Sequence, residues 1–260
     1  MRLRDPVFIS DLHLCLQRPA ALARFFALVD DIAGRAAELL ILGDLFEYWA
    51  GDDTLGHDGA NRAGADPDDE LAQAVVAALA RLGGRGTQVF VMRGNRDVLL
   101  GQRFLHDSGA TLLADPALAD IDGAAPTLLS HGDAYCTLDV AYQAFRRQAR
   151  DAGFQDKFLA QPLAQRRMLI GQARAASEAG KQQLDMHIMD VTPAAIDAAM
   201  RAAGVQRMVH GHTHRPARHE FALDGAPAVR WVLPDWEPDA TPMRGGGLWL
   251  HDGELQAFAL

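Results

Sequence analysis

The first half of the chain alternates short apolar runs with stretches of helical spacing. Apolar runs at residues 7–10, 39–42 and 88–92 each lead into polar residues, and residues 19–34 and 68–82 carry apolar side chains three and four positions apart. This order predicts a β-α-β-α-β unit with a largely parallel sheet. Because ligands bind at the carboxyl ends of strands in such sheets, the residues after each run are the first candidates for chemistry.

The second half breaks this alternation. A further strand is predicted at 127–130, and the segment 139–190 is then helical by its spacing. We interpret 139–190 as a helical cap inserted into a core made of residues 1–138 and 191–260.

The remaining segments complete the predicted core. A helix is expected at 193–203, with Thr192 as its N-cap and Pro193 in its first turn. Strands are then predicted at 207–209, 220–223, 229–233, 248–250 and 255–260. The stretch 51–70, rich in Gly and Asp, predicts a long exposed loop with a solvated acidic surface.

Composition narrows the classes of function. Of 260 residues, 49% are hydrophobic and 23% charged, which is typical of a folded globular protein. A net charge of -9 argues against nucleic acid as a partner. No apolar run reaches the roughly 20 residues of a membrane span, and from the opening residues MRLRDPVFISDLHL we expect no export signal. Two separated cysteines, Cys15 and Cys136, predict a cytoplasmic protein without disulfides.

Metal-binding residue types follow five of the predicted strands. Any one of these segments alone is more often structural, but five in order indicate one site at one sheet edge. Imidazoles, carboxylates and an amide suit Mn, Fe, Zn or a related divalent ion. The segments are Asp11-Leu12-His13, Gly43-Asp44, Gly94-Asn95-Arg96-Asp97, His131-Gly132-Asp133 and Gly211-His212-Thr213-His214. His210, just before the last segment, is expected to support that turn.

These segments resemble the motifs of calcineurin-like metallophosphoesterases. The resemblance implies an α/β fold with four layers, an α-β-β-α sandwich, and a site for two divalent metal ions that activate water without a Ser or Cys nucleophile. It implies that Asp44 is catalytic and bridges the two metals. One metal would take Asp11, His13, Asp44 and His214, and the other Asp44, Asn95, His131 and His212.

Arg96 distinguishes this chain from many members of the family. Many members of the family carry a His after the Asn, and an Arg cannot act as a general acid near neutral pH, although its fork fits two phosphate oxygens. We therefore assign Arg96 a catalytic role in charge stabilisation.

Together with FISDLHL, ILGDLFEYWAGDD, GNRDVLLGQRF, HGDAYCTLDVAYQAFR, RAASEA, HIMDV and HGHTHRP, this Arg variant resembles the UDP-2,3-diacylglucosamine diphosphatases of lipid A synthesis. That resemblance implies water attack at the α-phosphorus, giving UMP and 2,3-diacylglucosamine 1-phosphate, with Mn as the usual metal. The implied partners are a lipid-linked sugar nucleotide and, peripherally, the cytoplasmic face of the inner membrane, with no obligatory protein partner.

The resemblance also implies a set of substrate contacts. Lys181 and Leu184 stand where the family has an Asn and a Lys, so the place of Lys181 in the set rests on spacing. The implied contacts are Asn95, Arg96, Asp139, Arg174, Ser177, Lys181 and His212.

The predicted cap differs from the core in charge. From residue 139 to 181 it carries eight basic and four acidic residues, interleaved with apolar ones. This mixture suits an anionic lipid or a membrane surface. The alternative is that the apolar residues pack the cap onto the core and leave a solvated basic face.

Three functions remain open from the sequence. The first is the lipid diphosphatase. The second is a phosphoesterase on the same scaffold that acts on a soluble nucleotide, another phosphodiester or a phosphoprotein. The third is a non-catalytic binding module, which ranks last because all seven ligand positions are filled.

Overall fold

The structure is a computed structural model that describes residues 1–56, 67–123, 125–181, 188 and 190–260, with all of their side chains except those of 176–181. Two six-stranded sheets and seven α-helices make up this part of the chain. The helices are α1 (Pro19–Ile32), α2 (Pro67–Gly84), α3 (Gln102–Ser108), α4 (Val140–Ala149), α5 (Ala152–Leu159), α6 (Leu163–Lys181) and α7 (Pro193–Ala203). The strands are β1 (Arg2–Leu3), β2 (Pro6–Ile9), β3 (Glu38–Leu42), β4 (Gln88–Met92), β5 (Thr111–Leu113), β6 (Ala117–Ile121), β7 (Thr127–Ser130), β8 (Arg207–His210), β9 (Ala217–Leu223), β10 (Ala226–Val232), β11 (Gly246–His251) and β12 (Glu254–Ala259).

The first sheet contains the predicted β-α-β-α-β unit. Its order is β12-β11-β2-β3-β4-β5, and the four strands from β2 to β5 are parallel. The antiparallel pair β11 and β12 extends it from the C-terminal end of the chain. The prediction of a parallel frame is therefore confirmed for this sheet, whose carboxyl edge carries the residues after β2, β3 and β4.

The second sheet is mixed and has the order β1-β6-β7-β8-β10-β9. Strands β7, β8 and β10 run parallel to one another, β6 pairs antiparallel with β7, and β9 pairs antiparallel with β10. At the other edge, β1 pairs parallel with β6. The carboxyl ends of β7 and β8 bring their following residues to the same end of the molecule.

The two sheets pack face to face between layers of helices. Because successive side chains point to opposite faces of a strand, Val7 packs in the cluster with α1 and α2, whereas Phe8 packs between the sheets. The side chains of β8 alternate in the same way, with Val209 between the sheets and Met208 against α7. The expected four-layer α-β-β-α fold is thus what the chain adopts.

Helices α4, α5 and α6 lie within the segment predicted as a cap. Among their described side chains only Ala149 and Arg166 are buried, so these helices have almost no apolar core of their own. The described residues contain no helix long and apolar enough to cross a membrane.

Several local expectations need correction. Strands β1, β5 and β6 and helix α3 were not expected from the sequence. The predicted loop at 51–70 contains a short 3-10 helix, Asp52–Leu55, and α2 already begins at Pro67; residues 57–66 of it lie outside the described part. Thr192 occupies the N-cap of α7, but its hydroxyl bonds that of Thr137 at 2.8 Å and does not cap the helix.

Candidate metal centre

Six of the seven predicted ligands form two adjacent groups beyond the strand ends. In each group, one ligand atom per residue lies within 4.8 Å of the others. The first group follows β2 and β8, and the second follows β3, β7 and β8. The groups are Asp11, His13 and His214, and Asp44, His131 and His212.

The backbone turns sharply at most of these positions. Five ligand candidates have φ between 50° and 70°, in the left-handed region that costs a non-glycine residue energy. The other described non-glycine residues with positive φ, Asp122, Asp224 and Asp252, each precede a glycine in a turn. The concentration of strain at strand ends is typical of a functional site. The five candidates are Asp11, His13, Asp44, His212 and His214.

Two glycines allow the loops to approach one another. A Cβ at Gly94 would lie 2.0 Å from Asp44 Oδ1, and a Cβ at Gly211 would lie 2.3 Å from Asp11 Oδ2. A side chain at either position would push a candidate ligand out of place.

The carboxylate of Asp44 faces both groups. Its Oδ2 lies 3.8 Å from His13 Nε2, and its Oδ1 lies 3.8 Å from His131 Nε2. The predicted seventh ligand, Asn95, places its Oδ1 3.1 Å from His131 Nε2. The arrangement allows one carboxylate oxygen to point toward each of two cations.

Asp11 provides a test of whether a cation fits. Its Oδ2 accepts hydrogen bonds from the Ser10 hydroxyl at 2.6 Å and the His212 amide at 2.8 Å, while its buried Oδ1 makes no hydrogen bond among the described residues. His13 Nε2 and His214 Nε2 point at each other, 3.4 Å apart. A buried anion aimed at converging imidazole nitrogens is a donor set that suits a divalent cation.

The charge of the site acts differently on two neighbouring imidazoles, His131 and His212. Burial alone would lower the pKa of His131, but Asp44 and Asp133 raise it to about 9. Burial and neighbouring His131 lower the pKa of His212 to about 3, so His212 is neutral at pH 7 and can offer a lone pair. The surplus of negative charge around His131 is what a bound cation would neutralise.

Asp97 holds two of the ligand loops together. Its Oδ1 accepts hydrogen bonds from the amides of Gly94 at 2.8 Å and Asp44 at 3.3 Å, and its Oδ2 accepts one from Leu45 at 2.8 Å. Burial and nearby Asp44 raise its pKa to about 6. Asp97 stands in the Gly94 segment of the sequence, but nothing in that segment indicated this role.

Other acidic residues beside the ligands were not predicted. Asp235, after β10, lies 3.6 Å from His214 Nδ1, and Glu47, after β3, lies 3.2 Å from His13 Nδ1. Burial alone would raise the pKa of Glu47, but His13, Arg96 and Arg174 lower it to about 2. A carboxylate beside Nδ1 favours the imidazole form whose Nε2 is free to bind a metal.

His210 supports the last ligand turn, as expected from the sequence. Arg230 Nη1 lies 2.8 Å from His210 Nε2, and since arginine only donates, that nitrogen accepts. Nδ1 then donates to the Gly211 carbonyl at 2.8 Å. Burial and Arg230 lower the pKa of His210 to about 4, which keeps it neutral.

The predicted substrate contacts are only partly brought together. Arg96 and Arg174 both reach Glu47, with Arg96 Nη1 3.6 Å from its Oε1. Asp139 is the N-cap of α4, where its Oδ1 accepts a hydrogen bond from the Tyr142 amide at 2.9 Å.

Two further predicted contacts belong to α6. The side chains of Ser177 and Lys181 lie outside the described residues, and so does Leu184. Their expected contacts with substrate stay predictions.

Ion pairs attach α4 to the segment after His131. Arg146 Nε lies 2.9 Å from Asp133 Oδ1, Arg150 Nη2 lies 3.4 Å from Asp133 Oδ2, and the Tyr142 hydroxyl donates to Asp133 at 2.9 Å. The Tyr142 ring also packs 5.6 Å from the His212 ring, measured between centroids. Helix α4, at the start of the segment predicted as a cap, thus contacts one of the two candidate ligand groups directly.

The expected solvated acidic surface near residue 52 is wrong for Asp52. Asp52 accepts hydrogen bonds from the Trp49 indole at 3.0 Å and the Gly101 amide at 2.9 Å. Asp53 pairs with Arg166 of α6, which is 2% exposed. Asp52 therefore fixes structure, whereas the carboxylate of Asp53 stays exposed while it pairs with Arg166.

Similar proteins are consistent with this geometry. A family model described as calcineurin-like phosphoesterase matches residues 7–216. A protein of Aromatoleum aromaticum named UDP-2,3-diacylglucosamine hydrolase is 47% identical over 241 residues, 93% of each chain. A protein of the same name from Bordetella parapertussis is 43% identical over 262 residues, covering 100% of this chain and 97% of its own. The match to a structure of zinc-bound Vps29 from Entamoeba histolytica covers 98% of both chains at 13% identity, with a TM-score of 0.44.

Proposed function

The chain belongs to the calcineurin-like phosphoesterase family, and we propose that it hydrolyses the pyrophosphate of UDP-2,3-diacylglucosamine. Its family makes it a metal-dependent hydrolase. The proposed reaction is attack of water at the α-phosphorus, giving UMP and 2,3-diacylglucosamine 1-phosphate. The substrate follows from the name shared by relatives that match over 93% and 100% of the chain.

Two divalent cations, with Mn proposed as the metal, would activate water and neutralise charge on the phosphoryl oxygens. One would be held by the group around Asp11 and the other by the group around His131, with Asn95 beside the second group and Asp44 shared. The positions of the two Asp44 oxygens, 3.8 Å from an imidazole of each group, are the observation that carries this assignment.

The chain's own cations would bind the substrate. Arg96 follows the Asn95 ligand, and its guanidinium would stabilise charge on the phosphate oxygens through paired hydrogen bonds. Arg174 approaches the same point from α6. Asp139, Ser177 and Lys181 are proposed to contact the sugar part, with Asn95 and His212 contacting both metal and substrate.

The segment 139–190 is proposed to be the cap that receives the acyl chains, and the protein is proposed to act at the cytoplasmic face of the inner membrane. Exposed apolar side chains on the cap support both proposals, since acyl chains or a membrane surface would remove these side chains from water. The side chains are Val140 (72% exposed), Phe145 (48%), Phe154 (38%), Leu159 (39%) and Met168 (55%).

Product analysis in oxygen-18 water tests the proposal. Metal-free protein would be incubated with UDP-2,3-diacylglucosamine, with and without Mn, and the products followed by phosphorus NMR. We expect Mn-dependent UMP that carries the label. No cleavage of this lipid, combined with turnover of a simple phosphodiester, would move the substrate to a soluble compound and overturn the proposed identity.

A further inference from the structure

Glu47 lies between the metal centre and α6. It follows β3 by five residues, and its side chain is 16% exposed. Oε2 lies 3.2 Å from His13 Nδ1. Oε1 lies 3.6 Å from Arg96 Nη1 and also pairs with Arg174 Nη2. One carboxylate therefore contacts a candidate ligand, the arginine beside another ligand, and the cap.

The oxygen that faces His13 lies within ion-pair distance of Nδ1 but does not form a hydrogen bond with it. The negative charge of this carboxylate favours the imidazole form with its proton on Nδ1, which leaves the Nε2 lone pair for a cation. His13 Nε2 is the atom that points toward His214 and Asp44.

The other oxygen brings two positive charges together. Guanidinium groups on Arg96 and Arg174 repel each other, and both are mostly shielded from water, with side chains 19% and 31% exposed. A shared carboxylate oxygen offsets this repulsion. The pair then presents two forked donors on the side where an anionic phosphate would bind.

We propose that Glu47 is a positioning residue that couples the cap to the metal centre, orienting His13 with one oxygen and holding Arg96 and Arg174 together as a clamp for the substrate's phosphates with the other. This inference deepens the proposed function and rests on it for the phosphate clamp. The role toward His13 does not depend on the substrate.

The variant Glu47→Gln separates this role from a structural one. An amide keeps the shape of the side chain but has only one accepting oxygen, so it cannot serve His13 and the two arginines at once. We expect its Mn affinity, measured by calorimetric titration of metal-free protein, to fall by about 10-fold or more.

A double-mutant cycle measures the coupling. Arg174→Ala should raise KM for UDP-2,3-diacylglucosamine by about 10-fold in the wild-type background, and by less than about 2-fold when Glu47→Gln is already present. The control is Glu220→Gln, the same change at an exposed glutamate paired with Arg218, which should leave both Mn affinity and the Arg174 effect unchanged.

Additive effects of the two changes would overturn the proposal, as would wild-type Mn affinity in Glu47→Gln. If Glu47→Gln fails to show a cooperative melting transition, Glu47→Asp takes its place in the same cycle, because it keeps the charge and shortens the reach. If the wild-type protein binds Mn but leaves the lipid intact, the proposed function is refuted. The role of Glu47 toward His13 would still be tested, because the Mn titration does not depend on the lipid.

Discussion

The core and the cap hold their charged side chains by different means. In the core, the candidate ligands follow buried strands, and five of them have a left-handed backbone that neighbouring loops keep in place. In α4–α6, the described side chains other than Ala149 and Arg166 are exposed or only partly buried, and arginines tie the helices to core carboxylates. The pairs are Arg146 and Arg150 with Asp133, Arg166 with Asp53, Arg167 with Asp69, and Arg174 with Glu47.

The ion pairs explain why the segment predicted as a cap is rich in basic residues. Five of its eight basic residues pair with the core, so neither the membrane nor a solvated face accounts for most of them. The pairs orient the helices without a deep apolar interface, which would suit the proposed role of this segment in receiving the acyl chains. The core thus holds its candidate ligands through backbone turns, whereas α4–α6 are held to the core mainly through ion pairs.

The largest expected effect belongs to the core. Asp44→Ala should lower turnover by at least about 1,000-fold and weaken binding of both metals, because Asp44 faces both ligand groups. Metal stoichiometry and turnover would be measured on the same preparation. Asp252→Ala is the control, since Asp252 shares the left-handed backbone, φ 50°, but lies in an exposed turn. Near-normal turnover in Asp44→Ala would contradict the two-metal assignment.

Arg96→Ala should lower turnover by about 100-fold or more through loss of charge stabilisation, with metal content intact. Arg218→Ala, at an exposed arginine of β9, serves as the control. Metal analysis decides the outcome, because loss of metal in Arg96→Ala would show that Arg96 supports the ligand loops and not the substrate.

Two glycines test whether the ligand loops of the core tolerate an added side chain less well than α6 does. Gly94→Ala would place a Cβ 2.0 Å from Asp44 Oδ1, and a displacement of this size should cost about 100-fold in turnover. Gly171→Ala in α6 meets nothing within 4 Å and should stabilise the helix by about 0.5 to 1 kcal/mol without loss of turnover. Equal tolerance at both positions, measured as turnover and melting temperature, would remove the proposed difference between core and cap.

The attachment of α6 predicts the smallest effect. Arg166→Ala removes a buried guanidinium that bonds the Ala50 carbonyl and Asp53, and should lower the free energy of unfolding by about 1 to 3 kcal/mol. Urea unfolding and limited proteolysis would report the change, with exposed Arg147 replaced by Ala as the control. A stability equal to wild type would mean that the ion pairs do not hold the cap.

Much of the core could be predicted because its signals are local. The apolar run of β3 leads into Gly43 and Asp44, and that short stretch specifies a buried strand, a sharp turn and a candidate ligand together. Helix α7 was predicted from the Thr192-Pro193 start, although the hydroxyl of Thr192 found a partner outside the helix.

The rest depends on contacts between distant parts of the chain. Strand β1 has two residues and β5 three, too few to show a period. The partners Glu47 and Arg174 are 127 positions apart, so no spacing rule links them. Asp235 becomes relevant to His214 only because β10 pairs with β8.

Titration of metal-free protein with Mn, followed by electron paramagnetic resonance and turnover, would show whether two metal ions share Asp44. We expect two Mn ions per chain with a magnetically coupled signal, since ions that share a carboxylate in such sites lie about 3.5 to 4 Å apart. Turnover should require the second ion. Full turnover with one bound ion, or two ions without coupling, would contradict a shared site at Asp44.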